Sequence, residues 1–85
     1  MIETTPQAKP AITRVVDARG SYCPGPLMEL IRAIRESAVG DVIAVRSSDK
    51  GSKVDIPKWI EKAGHRLISV DTLDGFDEIV VEKAR

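Results

Sequence analysis

Two prolines, Pro24 and Pro26, stand between a β-branched run and a stretch of helical period, and no other feature constrains the fold as tightly. Proline removes a ladder donor and cannot continue a central strand. It is tolerated in the first turn of a helix, where its missing N–H would have been an orphan anyway. The pair therefore marks a strand-to-helix junction. Cys23, the only cysteine, lies directly before it. The first N–H groups of a helix have no intrahelical partner, and the macrodipole places partial positive charge there. Both favour thiolate, the nucleophilic form of cysteine. Gly25 keeps bulk away from the sulfur, so another molecule can approach. A lone cysteine is often only a small buried hydrophobe. Cys23 instead follows Tyr22 in a junction rather than an apolar run, which makes it a candidate reactive thiol.

The rest of the chain follows from this junction. Ile12 to Asp17 is β-branched and reads as a first strand. From Pro26, residues Leu27, Leu30, Ile31, Ile34 and Ala38 fall at helical spacing, with Gly40 as the stop. Val42 to Ser47 is nearly continuous in apolar character, which suits a central parallel strand. Ser48 to Ser52 is a polar loop, and Ser52 or Asp55 caps a second helix carrying Ile56, Trp59, Ile60 and Ala63 on one face. Pro57 fits its first turn if the helix starts near Asp55, and a kink is expected there if residues 52–55 are also helical; Gly64 ends it. Arg66 to Asp71 is a third strand, with Ile68 and Val70 on one face. Asp74-Gly75 turns the chain into a fourth strand, Phe76 to Lys83.

The order β-α-β-α-β-β implies an α/β two-layer sandwich. A right-handed crossover makes the first two strands parallel, and both helices cover one face of a mixed four-stranded sheet. Cys23 then lies at the carboxyl edge of a parallel strand, where open α/β sheets commonly bind or react. The other face has no helix. Val15 and Val80 are expected there, blunted by Glu78 and Glu82, which predicts a monomer or weak dimer. Residues 1–11 are polar and read as a flexible lead-in to a single domain over 12–85.

Composition excludes several function classes. Thirteen basic and 13 acidic residues cancel, which disfavours direct nucleic-acid binding through bulk positive field. No stretch approaches the roughly 18 apolar residues of a membrane span, and the N-terminus lacks a secretory apolar region. One cysteine supports no internal disulfide. The expectation is a cytoplasmic protein. One histidine and one cysteine do not make a metal site, no glycine-rich phosphate loop is present, and no cofactor is expected. His65 follows the second helix, away from the first strand's exit, and reads as a boundary histidine rather than a catalytic base. Arg19 is a candidate to stabilise a thiolate or persulfide by charge, or a structural partner of Asp17. Lys50 and Lys53 are candidates for a basic rim toward a partner, or solvated lysines. Tyr22 packs on the helix or joins a docking surface.

Val16-Asp17-Ala18-Arg19-Gly20, then Cys23-Pro24-Gly25-Pro26, resembles the signature of the TusA/SirA-like sulfur-carrier family. Its pattern is a hydrophobic-Asp-x-Arg-Gly run, two residues, then Cys-Pro-x-Pro. Gly40-Asp41, Asp55-Ile56-Pro57 and Thr72-Leu73-Asp74-Gly75 agree with later family stretches. The resemblance implies the same two-layer fold and a sulfurtransferase-type carrier. The family's cysteine takes sulfane sulfur as a persulfide from a desulfurase or rhodanese-type donor and passes it to an acceptor protein. The destination is tRNA thiolation, molybdenum-cofactor biosynthesis or oxidative sulfur metabolism. Two positions depart from the pattern: Ser21 replaces a large apolar residue, and Gly25 replaces a side chain, often acidic. The rival reading is a regulatory module on the same fold, with Cys23 as a redox sensor.

Overall fold

A computed structural model describes residues 11–22 and 24–85; Cys23 and residues 1–10 of the expected lead-in lie outside the described residues. The elements are β1 (Arg14–Asp17), α1 (Gly25–Arg35), β2 (Val42–Ser47), α2 (Lys50–Ala63), β3 (Arg66–Leu73) and β4 (Phe76–Glu82). The sheet order is β1-β2-β4-β3. β1 and β2 are parallel, with Val16 opposite Val45. β4 is antiparallel to both β2 and β3. The fold class is the expected one.

β2 is central, and its apolar run is buried on both faces. Ile43 and Val45 join Ile79, Val81, Leu30, Ile34, Ile56 and Ile60 in one core between sheet and helices. Each such side chain contributes about 1.5–3 kcal/mol of transfer free energy. Cations finish the distal end of α1. Lys83 Nζ donates to the carbonyls of Ile34 and Ser37 at 2.8 and 2.7 Å, where the negative end of the helix dipole favours positive charge.

Several expectations need correction. The first strand begins at Arg14 rather than Ile12, although the Thr13 N–H still donates to Val42 O at 2.7 Å. α1 begins at Gly25 and ends at Arg35, leaving Ala38 exposed beyond it. α2 begins at Lys50, and its cap is Asp49, not Ser52 or Asp55. The Asp49 carboxylate accepts from both the Ser52 N–H and the Ser52 hydroxyl, at 3.0 and 2.9 Å. With residues 52–55 helical, Pro57 lies inside the helix, the second of the two cases open in the sequence, and not in its first turn.

The open face also differs. A register shift between Leu67 and Ser69 interrupts β3. Ile68 packs against Val42, Ala44 and Val80, whereas Val70 lies opposite Ile79 on the helix side. Ile68 and Val70 therefore occupy opposite faces. Val80 is fully buried, and of the two valines only Val15 is exposed, at 48%. Glu78 and Glu82 are engaged by Arg46 and Arg66 at 3.1 and 3.3 Å.

Candidate functional site

Topology brings three connections to one end of the sheet. β1 and β2 are parallel, so the chain leaves both there. β4 starts at the same end, since Asp77 lies opposite Ser47. The loop after β1, the Ser48-Asp49 connection and the β3–β4 turn are thus neighbours. They are also bonded. The Gly20 N–H donates to Ser48 Oγ at 2.9 Å, and the Arg19 guanidinium lies over the Phe76 ring at 4.9 Å. Gly75 makes the turn at φ +86°, a left-handed conformation that glycine adopts without strain.

Asp17 and Arg19 form a closed pair. Arg19 Nε and Nη2 donate to the two Asp17 carboxylate oxygens, both at 2.8 Å, and the Arg19 N–H donates to Oδ1 at 3.2 Å. The side-chain hydrogen bond from Arg19, then its N–H and the nearby charges, hold the Asp17 carboxyl down at about 2. Arg46, bonded to Glu78, approaches Phe76 from 5.8 Å. Of the alternatives open for Arg19, the pair with Asp17 is present, and its charge is largely compensated there.

Lys50 and Lys53 belong to the first turns of α2, not to a preceding loop. Lys53 Nζ donates to Thr72 Oγ1 at 2.8 Å and stands 3.6 Å from Asp77 Oδ1, so it ties α2 to the hairpin. Lys50 lines a cavity of about 250 Å³ with Ser48, Thr72 and Phe76. Among the described residues no acidic side chain pairs with it.

α1 opens without a side-chain cap. Pro24 occupies the cap position, Pro26 the second helical position, and no acidic residue falls in the first turn. Pro26 is buried, which anchors the turn in the core. The Gly25 N–H donates to Tyr22 O at 2.7 Å, and the Met28 N–H to Pro24 O at 2.9 Å. Tyr22 and Met28 are exposed at 80% and 58%. Cys23 itself lies outside the described residues, but both its neighbours are placed.

His65 stands at the far end of α2, about 21 Å from that helix's start at 1.5 Å per residue. Its Nδ1 accepts from the Ala84 N–H at 3.1 Å, and its ring packs on Trp59, centroids 5.7 Å apart. Burial, then the charges of Lys83 and Arg85, push its pKa down. Among the described residues, no cluster of three or more His, Cys, Asp or Glu could hold a metal ion, and no helix is long and apolar enough to cross a membrane.

The family model described as sulfurtransferase TusA matches residues 14–83. This chain belongs to the TusA family. It is 54% identical over 71 residues to a candidate sulfur carrier protein of Archaeoglobus fulgidus, covering 84% of this chain and 97% of that one. The sulfur carrier protein TusA of Pseudomonas putida is 37% identical over 68 residues, covering 80% and 78%. The crystal structure of a SirA-like protein from Desulfitobacterium hafniense superposes with a TM-score of 0.73 at 23% identity, over 85% of this chain and 99% of that one. That likeness shows the shared fold.

Within the TusA family pattern, the two departures noted in the sequence face each other. A Cβ on Gly25 would stand 3.3 Å from the Cβ of Ser21. The small residue at 21 and the missing side chain at 25 thus thin the same spot, on both sides of Cys23 in the chain. Sequence reasoning passed over Phe76, Ser48 and Asp49. The first two hold the loop that carries the family's Asp-x-Arg-Gly run. A signal for them existed in the parallel β1–β2 pairing, which places their connections beside that loop.

Proposed function

We propose that this TusA-family protein is a sulfur carrier whose Cys23 holds sulfane sulfur as a persulfide. The observation that supports it most is the contrast between the two helix starts. α2 is capped by the Asp49 carboxylate, whereas α1, which begins two residues after Cys23, has no side-chain cap and no acid in its first turn. That leaves a positive helix end for an anionic sulfur. In loading, the Cys23 thiolate attacks the outer sulfur of a donor persulfide; the donor's S–S bond breaks and the donor departs as a thiolate. In discharge, an acceptor thiolate attacks the outer sulfur on Cys23, and Cys23 leaves as thiolate. Neither step needs an external oxidant or reductant.

A donor of desulfurase or rhodanese type and an acceptor protein are the partners of this reading. Asp17, Arg19, Ser48 and Phe76 hold the approach to the thiol, Pro24 and Pro26 fix the helix entry, and Tyr22, Met28 and Lys50 offer exposed surface around it. The reduced protein, incubated with polysulfide or a persulfidated rhodanese, should gain the mass of one sulfur atom. Reductant should remove it, and Cys23→Ser should prevent the addition while leaving the circular dichroism unchanged. Wild type that stays unmodified by a range of sulfane donors, or Cys23→Ser that is still loaded, would overturn the carrier reading.

A further inference from the structure

At the opposite end of the molecule, four basic side chains converge on one cavity. It has a volume of about 300 Å³ and is lined by Ile31, Arg35, Trp59, His65, Lys83 and Arg85, among others, with no acidic side chain, although Arg85 also bears the α-carboxylate of the 85-residue chain. The cavities beside β1, along α2, at the hairpin and on the outer face of α1 each include a carboxylate: Asp17, Glu61, Asp77 and Glu29. In a chain of zero formal charge, the lack of acidic side chains here is a property of the place and not of the composition.

The local bonds leave that charge available. Lys83 already satisfies the end of α1 through Ile34 O and Ser37 O, so Arg35 is not needed there. Among the described residues, neither Arg35 nor Arg85 has an acidic partner. The Arg85 side chain lies against Gly64, where an added Cβ would meet Nη1 at 2.7 Å. His65 Nδ1 accepts from Ala84 N–H, which leaves its proton on Nε2 as a donor. The depressed pKa of His65, caused by burial and then by Lys83 and Arg85, is consistent with uncompensated positive potential. Ile31 and the Trp59 indole supply an apolar wall.

We infer that this cavity binds a small anion with a planar body, of the nucleoside monophosphate class. Guanidinium forks match phosphate oxygens in pairs, an indole stacks on a planar ring, and about 300 Å³ lies at the small end of ligand pockets, room for one such molecule rather than a polymer. The site begins about 9 Å along α1 from its start, at Ile31, and reaches the helix end about 16 Å from that start, and the inference does not depend on the carrier reading.

The test is a titration of the full chain with adenosine 5′-monophosphate, adenosine and inorganic phosphate, each at low salt. Fluorescence reports on Trp59, the only tryptophan, and NMR on the His65 ring protons. The monophosphate should give a saturable change at both reporters and bind at least tenfold more tightly than either fragment. The double variant Arg35→Gln with Arg85→Gln should weaken it at least tenfold at unchanged melting temperature. Cys23→Ser should bind as the wild type does, so failure of sulfur loading and failure of this site are separable. No saturable change, adenosine or phosphate binding as well as the monophosphate, a double variant that binds normally, or a Cys23→Ser that does not, would overturn the inference.

Discussion

The connection Ser47-Ser48-Asp49 does two jobs that mutation can separate. Asp49 caps α2 through the Ser52 N–H and hydroxyl, at 3.0 and 2.9 Å, and Ser52 is fully buried. Asp49→Ala removes an N-cap, worth about 1 kcal/mol, and leaves a buried hydroxyl without its acceptor, which costs about 1–3 kcal/mol. The expected loss is about 2–4 kcal/mol. For a domain of this size that lowers Tm by roughly 10–25 °C. Ser48 is exposed, and among the described residues its hydroxyl accepts the Gly20 N–H alone, which water can replace. Ser48→Ala should therefore cost no more than about 0.5 kcal/mol. It should nevertheless change the alkylation rate of Cys23, because the loop preceding it loses a tether. Urea and thermal unfolding followed by circular dichroism give the stabilities, and a thiol probe gives the rate. Equal destabilisation by the two variants, or a Ser48→Ala protein with an unchanged alkylation rate, would refute this division of labour.

Other substitutions test the remaining claims. Pro26→Ala should leave the domain folded and raise the Cys23 thiol pKa, read from alkylation rate against pH; an unchanged profile removes the role given to the proline. Pro57→Ala should restore an N–H inside α2 and stabilise the fold by about 1–3 kcal/mol, seen as a raised Tm. Gly64→Ala should destabilise by at least about 1–2 kcal/mol, because φ is +84° and the new Cβ would meet Arg85. Two pH limbs are expected. Asp17 is held down from 3.8 to about 2, so its contribution is complete above 3.8 and is lost as pH falls toward 2. His65 is lowered from 6.5, so the stability linked to its neutral form is present above pH 6.5 and fades as pH drops below it. Asp17→Asn and His65→Gln should each flatten one limb in urea midpoints measured against pH.

Much of the fold was legible because periodicity and punctuation agreed. Val42 to Ser47 matched β2 residue for residue, and Asp74-Gly75 is the turn between β3 and β4. The start of α2 was hidden because Asp49, Ser52 and Asp55 are all competent caps, and only tertiary packing decides among them. Burial of Ser52 and the bond from the Asp49 N–H to Ser47 Oγ at 3.0 Å select the first. The break at Ile68 was hidden for a different reason: an alternating strand gives no local sign of an extra residue, and it flips every later side chain. At the candidate site, Arg19 was legible as a charge near the cysteine. Its pair with Asp17, two residues away, was one of the alternatives open in the sequence; its stacking on Phe76, from the far hairpin, is linked to it by no local pattern.

This pairing bears on how an anionic sulfur would be stabilised. Both helices start at the same end of the sheet, so two positive dipole ends and several cations gather there. Most are already matched. The end of α2 meets the Asp49 carboxylate, Arg19 meets Asp17, Arg46 meets Glu78, and Lys53 meets Asp77. Among the described residues, what remains is the uncapped start of α1 and the side chain of Lys50. A helix end carries about half an elementary charge, typically worth 0.3–1 kcal/mol to an anion, less than an adjacent full cation provides. Such a setting lowers a thiol's pKa only modestly. That suits a carrier better than a strongly acidic thiol would. Nucleophilicity falls as pKa falls, and attack is fastest when the thiol titrates near ambient pH. A carrier must attack its donor and later act as leaving group toward its acceptor, so an extreme value in either direction would impair one of the two transfers. On the proposed carrier reading, the matched charges around Arg19 and Lys53 would act by fixing the loops, and the weaker field of α1 would set the reactivity.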